Sequence, residues 1–96
     1  MSAAPANLGE ASVPRLAPGV KLRHDAARDR WTLLAPERLI VPDEIALEIL
    51  KRIDGKTSVG AICDDLATTF GAPRAVIATD VLALLGSLAD KGFVAA

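Results

Sequence analysis

The chain has one cysteine, one histidine, no tyrosine and only three aromatic residues, Trp31, Phe70 and Phe93, in 96 positions. Each shortage removes a class of function. Cys63, standing alone, cannot close an intrachain disulfide. His24 is far from it in sequence, which leaves no Cys–His pair for nucleophilic chemistry and no cluster with metal-ligand spacing. The adjacent acids Asp64-Asp65 and Asp43-Glu44 point away from one another on helices and read as solvated faces. No phosphate-binding glycine loop, CxxC pair or nucleophile elbow occurs. No apolar run approaches the ~20 residues of a membrane-spanning helix. No basic-then-apolar leader opens the chain, so a soluble cytoplasmic protein is expected. Neither sign of charge is in surplus, with 11 Lys and Arg against 12 Asp and Glu for a net charge of -1. That balance argues against a general binder of nucleic acid or anionic membrane, which must neutralise phosphates. The expectation is a non-enzymatic protein with no cofactor and no metal.

What is abundant is aliphatic. Residues of the AVILMFWYC set make up 51% of the chain, enough to fold one small domain without a metal or disulfide. Residues 1–18, "MSAAPANLGEASVPRLAP", hold three prolines and no apolar periodicity, and are expected to be a disordered tail or linker. The domain proper is expected over 19–96. "VKLRH" alternates, with Val20, Leu22 and His24 on one side; "DAARD" is a polar turn; "RWTLL" resumes the alternation with Trp31 and Leu33 together. Ala35-Pro36-Glu37-Arg38 suits a turn. A third strand follows over 38–41, which completes an antiparallel meander.

The remainder is helical. Asp43 is the expected N-cap of a first helix with Ile45, Ile49, Leu50 and Ile53 on one stripe, ending at Asp54-Gly55. A second helix starts at Thr57 or Ser58, carries Val59, Ile62, Leu66 and Phe70 inward and stops at Gly71. A third begins near Pro73 and stops at Gly92, after which Phe93-Val94 folds back on the core. The fold class is therefore α+β: an N-terminal three-stranded antiparallel meander packed on a three-helix bundle.

Two features exceed what that core needs. "PERLIVPDE" makes the third strand apolar on both faces although it lies at a sheet edge, where strands are usually blunted or covered. The third helix also has an apolar arc wider than one contact requires. Three binding modes fit a small sheet beside helices. A winged helix-turn-helix would need Arg, Lys, Asn or Gln toward base edges, and helix three offers Arg74 alone with two aspartates. A homodimer could pair two third strands or two helix-three faces. An extended peptide could add to the free edge, its side chains entering a neighbouring apolar groove. On that last reading Ile40→Asp should weaken binding and leave the fold intact.

The order and spacing of "LLAPER", "ILKRIDG" and the closing "DV..LL..L..KGFV" resemble the PqqD family of pyrroloquinoline quinone biosynthesis, over about residues 15–95. The resemblance implies a winged-helix-like recognition element for ribosomally synthesized, modified peptides. Its implied partners are the precursor peptide PqqA and the radical S-adenosylmethionine enzyme PqqE, to which PqqA is presented. Some members are fused to the oxidase PqqC, which would make the Ala/Pro-rich start a linker. In related elements the peptide pairs with the third strand and lies against the third helix. Carried onto this chain, that implies Arg38, Leu39, Ile40 and Val41, with Arg74, Ile77, Val81, Leu84 and Leu85 on the helix. Lys21, Arg23, Arg38, Arg74 and Lys91 are available to steer an acidic peptide. The oligomeric state expected is monomer or weak homodimer.

Overall fold

The computed structural model describes residues 8–96. Three strands, β2 (Lys21–Asp25), β3 (Arg30–Ala35) and β4 (Arg38–Ile40), form an antiparallel sheet in that order, preceded by a short β1 (Arg15–Leu16). The turn between β2 and β3 is held by the Asp25 carboxylate, which accepts hydrogen bonds from the Ala27 and Arg28 amides. Asp29 closes it at φ 49°, a conformation that Asp tolerates better than most residues. Between β3 and β4 only Pro36 and Glu37 intervene, neither with positive φ. Such unprimed turns splay the strands they join, which fits a ladder of three pairs, Ala35–Arg38, Leu34–Leu39 and Leu33–Ile40.

Three helices follow: α1 (Glu44–Leu50), α2 (Val59–Phe70) and α3 (Arg74–Asp90). The expected caps hold. The Asp43 carboxylate accepts from the Ala46 amide and the Ser58 hydroxyl from the Ala61 amide, while Gly71 ends α2 at φ 62°. α1 stops at Leu50, earlier than the expected Asp54-Gly55. There the Asp54 carboxylate draws in the Lys56 and Thr57 amides and the Thr57 hydroxyl, forming a turn of its own. Glu48 and Arg52 pair at i,i+4, and Arg52 Nε also reaches Asp65, which ties the end of α1 to α2.

The expectation of a disordered tail over 1–18 is corrected from residue 8 onward; residues 1–7 lie outside the described residues. Pro14 is fully buried, and β1 pairs antiparallel with a final strand, β5 (Val94–Ala95), as a second sheet. Upstream, the Ser12 and Glu10 carbonyls accept from the Val59 and Gly60 amides. These are first-turn donors of α2 that no helical carbonyl can reach, so the segment acts as a backbone cap. Gly60 permits the approach, since a Cβ there would stand 3.3 Å from the Glu10 carbonyl oxygen.

The Glu10 carboxylate completes this attachment by pairing with Arg74, 2.7 Å away, whose Nε meets Asp64 at 2.6 Å. Hydrogen bonding and charge from Arg74 hold the Glu10 carboxyl below its ordinary value. Arg52 does the same to Glu48, and the Lys56 and Thr57 amides to Asp54. A carboxylate whose folded pKa is depressed contributes stability above its unfolded pKa and loses it as pH falls through the folded one. The stability that these carboxylates contribute should therefore start to fall as pH drops into the ordinary carboxylate range and be gone only below it. Arg74→Ala should flatten the Glu10 share of that profile, measurable as melting temperature against pH for the two proteins.

The buried core is made of Val20 just before β2, Leu33 of β3, Ile49 and Leu50 of α1, Val59, Ile62, Cys63 and Leu66 of α2, Val81, Leu85 and Leu88 of α3, and Phe93 and Val94, with Leu16, Leu22 and Ile40 packed against it. Burial pushes the Cys63 thiol pKa up, so the residue packs as a small hydrophobe.

Candidate functional site

The sheet has two edges, and their chemistry differs. β2 carries exposed Lys21 and Arg23, cations of the kind that blunt an edge against pairing. β4 carries Arg38, Leu39 and Ile40. Its one charge is used internally: the Arg38 guanidinium lies 4.3 Å from the centre of the Phe93 ring and donates to the Lys91 carbonyl. Ile40 is half-buried and packs on the core opposite Leu33. Leu39 and Val41 point the other way and are 57% and 50% exposed. The Ala35–Arg38 pair closes a two-residue turn, and bonded pairs alternate along an antiparallel ladder. Leu39 accordingly directs its N–H and C=O away from β3, toward the open edge.

The chain leaves this edge through Val41 and Pro42 and enters α1 at Glu44, within about 10 Å. Glu44 and Ile45 form one lip of a cleft of about 320 Å³ between α1, α2 and α3. Ile49, Leu66, Phe70, Ala72, Val76, Ile77 and Val81 supply its apolar surface. Ile45, Phe70 and Val76 are 66%, 55% and 53% exposed, so the helical spacing that suggested core positions for Ile45 and Phe70 is corrected. Their apolar side chains line a depression that the domain does not fill. Three further lining residues, Glu44, Glu48 and Asp80, are acids, and no Lys, Arg or His lines the cleft.

Among the residues that the resemblance implied, Ile77 and Val81 line this cleft, Val81 as part of its buried floor. Leu85 is corrected: it is fully buried in the core and presents no surface to a partner. Leu84 is half-buried against the core, and Arg74 is committed to Glu10 and Asp64. Neither lines the cleft. The Ile40→Asp test is corrected for the same reason, since a carboxylate at that position would disturb packing as well as any partner. The aromatic cluster lies apart on the β2–β3 hairpin, where the His24 ring sits 4.9 Å from a half-buried Trp31, tilted by 40°, and Lys51 approaches the indole from the C-cap of α1. Trp31, on the central strand β3, lines no part of the cleft. Among the described residues no group of His, Cys, Asp and Glu could hold a metal ion, and no helix is long and apolar enough to cross a membrane.

A three-stranded sheet with one unblunted edge, set on three helices, is the winged-helix-like fold of a RiPP recognition element. A solution structure of the PqqD truncation of Methylobacterium extorquens PqqCD, described as a functional, stand-alone element of this kind, superposes with a TM-score of 0.81 at 39% identity, covering 96% of this chain and 98% of that one. The crystal structure of PqqD from Xanthomonas campestris gives 0.56 at 45% identity, over 88% and 94% of the two chains. The family model for coenzyme PQQ synthesis protein D (PqqD) matches residues 30–94. A PqqA binding protein of Rhodopseudomonas palustris (strain BisB5) is 57% identical over 86 residues, 90% of this chain and 84% of that protein. Another, of Gluconobacter oxydans (strain 621H), is 48% identical over 91 residues, 95% of each. The chain belongs to the PqqD family.

Proposed function

We propose that this chain is a cytoplasmic, non-enzymatic peptide chaperone that binds the precursor peptide PqqA by strand addition to β4 and presents it to the radical SAM enzyme PqqE. The observation that carries the reading is the contrast between the two sheet edges. Lys21 and Arg23 blunt β2, while β4 offers the free backbone groups of Leu39 and the exposed apolar side chains of Leu39 and Val41. In β-augmentation, backbone pairing supplies affinity and pockets for alternate side chains supply specificity. The α1–α2–α3 cleft, whose lip starts at Glu44, four positions after the last residue of β4, would supply such a pocket. Relatives named PqqA binding protein support the choice of peptide. The PqqCD fusion of Methylobacterium extorquens is compatible with delivery of the peptide within one pathway.

The test is an amide chemical-shift titration with synthetic PqqA. Shifts should concentrate on residues 38–41, on Glu44 and Ile45, and on 76–81, with β2 unmoved. Shifts spread along β2 instead would place the peptide on the other edge. A spectrum that changes with protein concentration but not with peptide would make β4 a dimer seam.

A further inference from the structure

The sequence offered five basic residues for steering an acidic peptide, but the cleft is built with the opposite charge. Glu44, Glu48 and Asp80 are its only charged lining residues. Glu48 is occupied, since its carboxylate meets Arg52 Nη1 at 2.9 Å and Lys51 Nζ at 3.6 Å. Glu44 and Asp80 are exposed and have no ion-pair partner among the described residues. Glu44 stands in the first turn of α1, where a carboxylate interacts favourably with the helix dipole, so its presence has a local reason. Asp80 has none. It lies in the middle of α3, and its neighbours three and four residues away are Val76, Ile77, Ala83 and Leu84, with no cation to pair with. An unpaired carboxylate on each side of an open apolar depression repels an acidic ligand and favours a cation set beside an apolar side chain.

We infer that Glu44 and Asp80 are specificity-determining residues: the cleft takes an apolar side chain of the bound peptide and the two carboxylates read a lysine or arginine next to it. This rests on the strand-addition reading and adds to it a rule for which peptides are accepted. The basic residues do not supply a competing rule at this site, because Arg38 lies over Phe93, Arg74 is held by Glu10 and Asp64, Lys21 and Arg23 are on the far edge, and Lys91 caps the end of α3 away from the residues that line the cleft. Cation and carboxylate would meet at the solvent rim. The pairing therefore contributes modestly to affinity and more to selection and to the rate of encounter.

The experiment is calorimetry with a PqqA host peptide in which lysine, glutamine or glutamate is placed beside each apolar residue in turn. It is run on the wild-type chain and on Glu44→Gln/Asp80→Asn. At one host position the wild type should bind the lysine peptide roughly fivefold more tightly than the glutamine one, and the glutamate one more weakly still. The double variant should bind all three alike, and the lysine preference should fade as salt is raised from about 0.05 to about 0.5 M. Asp80→Asn alone should leave the melting temperature unmoved, and the double variant should lower it only by the few degrees that the Glu44 helix-dipole contact is worth. If no position prefers lysine, or if the double variant keeps the preference, the inference is overturned while peptide binding stands. If the wild type fails to bind the unaltered host peptide at all, the strand-addition reading itself has failed.

Discussion

Phe93→Ala is expected to lose roughly 3–5 kcal/mol of stability, the cost of emptying a fully buried aromatic site. A chain of this size has only about 5–14 kcal/mol in total, so one substitution would remove a large share of it. The site is demanding because several attachments meet there. The Phe93 amide donates to the Leu88 carbonyl, its own carbonyl accepts from the Ala17 amide, and its ring carries the Arg38 guanidinium. Truncation would empty the core between α3 and β5 and unseat the side chain that braces β4. The melting temperature should fall by roughly 15 °C or more. Phe93→Leu should recover most of the loss but not the cation–π contact, worth about 0.5–1 kcal/mol at a site open to solvent. Thermal unfolding of the two variants side by side decides the matter; equal losses would mean that volume at this position is not what counts.

The largest effect on binding is expected at Leu39. Leu39→Asp should weaken PqqA binding by at least about tenfold, near 1.4 kcal/mol, because it sets a charge where the added strand must lie and removes an exposed apolar contact. Leu39 packs on nothing essential, so the melting temperature should stay within about 0.5 kcal/mol of the parent's stability. Leu39→Pro separates backbone from side chain. Proline is tolerated on an edge strand where its missing N–H faced outward, so the fold should survive while the donor for strand addition is lost. If Leu39→Asp is silent but Leu39→Pro is not, pairing is mediated by the backbone alone. If both bind normally, β4 is not the peptide edge.

How much of this could be read in advance differs by element. The caps at Asp43, Ser58 and Gly71 were legible because a cap is a local event, one side chain answering one or two amides. The alternation of β2 and β3 and the return of Phe93-Val94 were legible for the same reason. Residues 8–18 were not. Their attachment uses the Glu10 and Ser12 carbonyls and a two-residue strand, and any residue type supplies a carbonyl. Only Glu10 with Arg74 left a trace in side chains, and those two are far apart in sequence. The cleft failed for a different reason. Periodicity marks Ile45 and Phe70 as apolar positions on a helix, but it cannot tell a face that meets the domain's own core from one that meets a partner. Leu85, assigned to the partner, is core; Ile45, assigned to the core, lies open. Acidic lining was hidden too, since Glu44 and Asp80 come together only when α1 and α3 do.

The pairing of β1 with β5 carries a kinetic meaning. Arg15 meets Ala95 and Leu16 meets Val94, so this clasp joins the two ends of the described segment into a nearly complete ring. Loop-closure entropy makes such a contact among the hardest to form early, whereas the β2–β3–β4 hairpins and the α2–α3 pair can assemble from near neighbours. The clasp therefore belongs to the late steps of folding, where a lost contact quickens unfolding and leaves the folding rate almost untouched. It is the natural first point of opening, and what it releases is the short segment before β2 that caps α2.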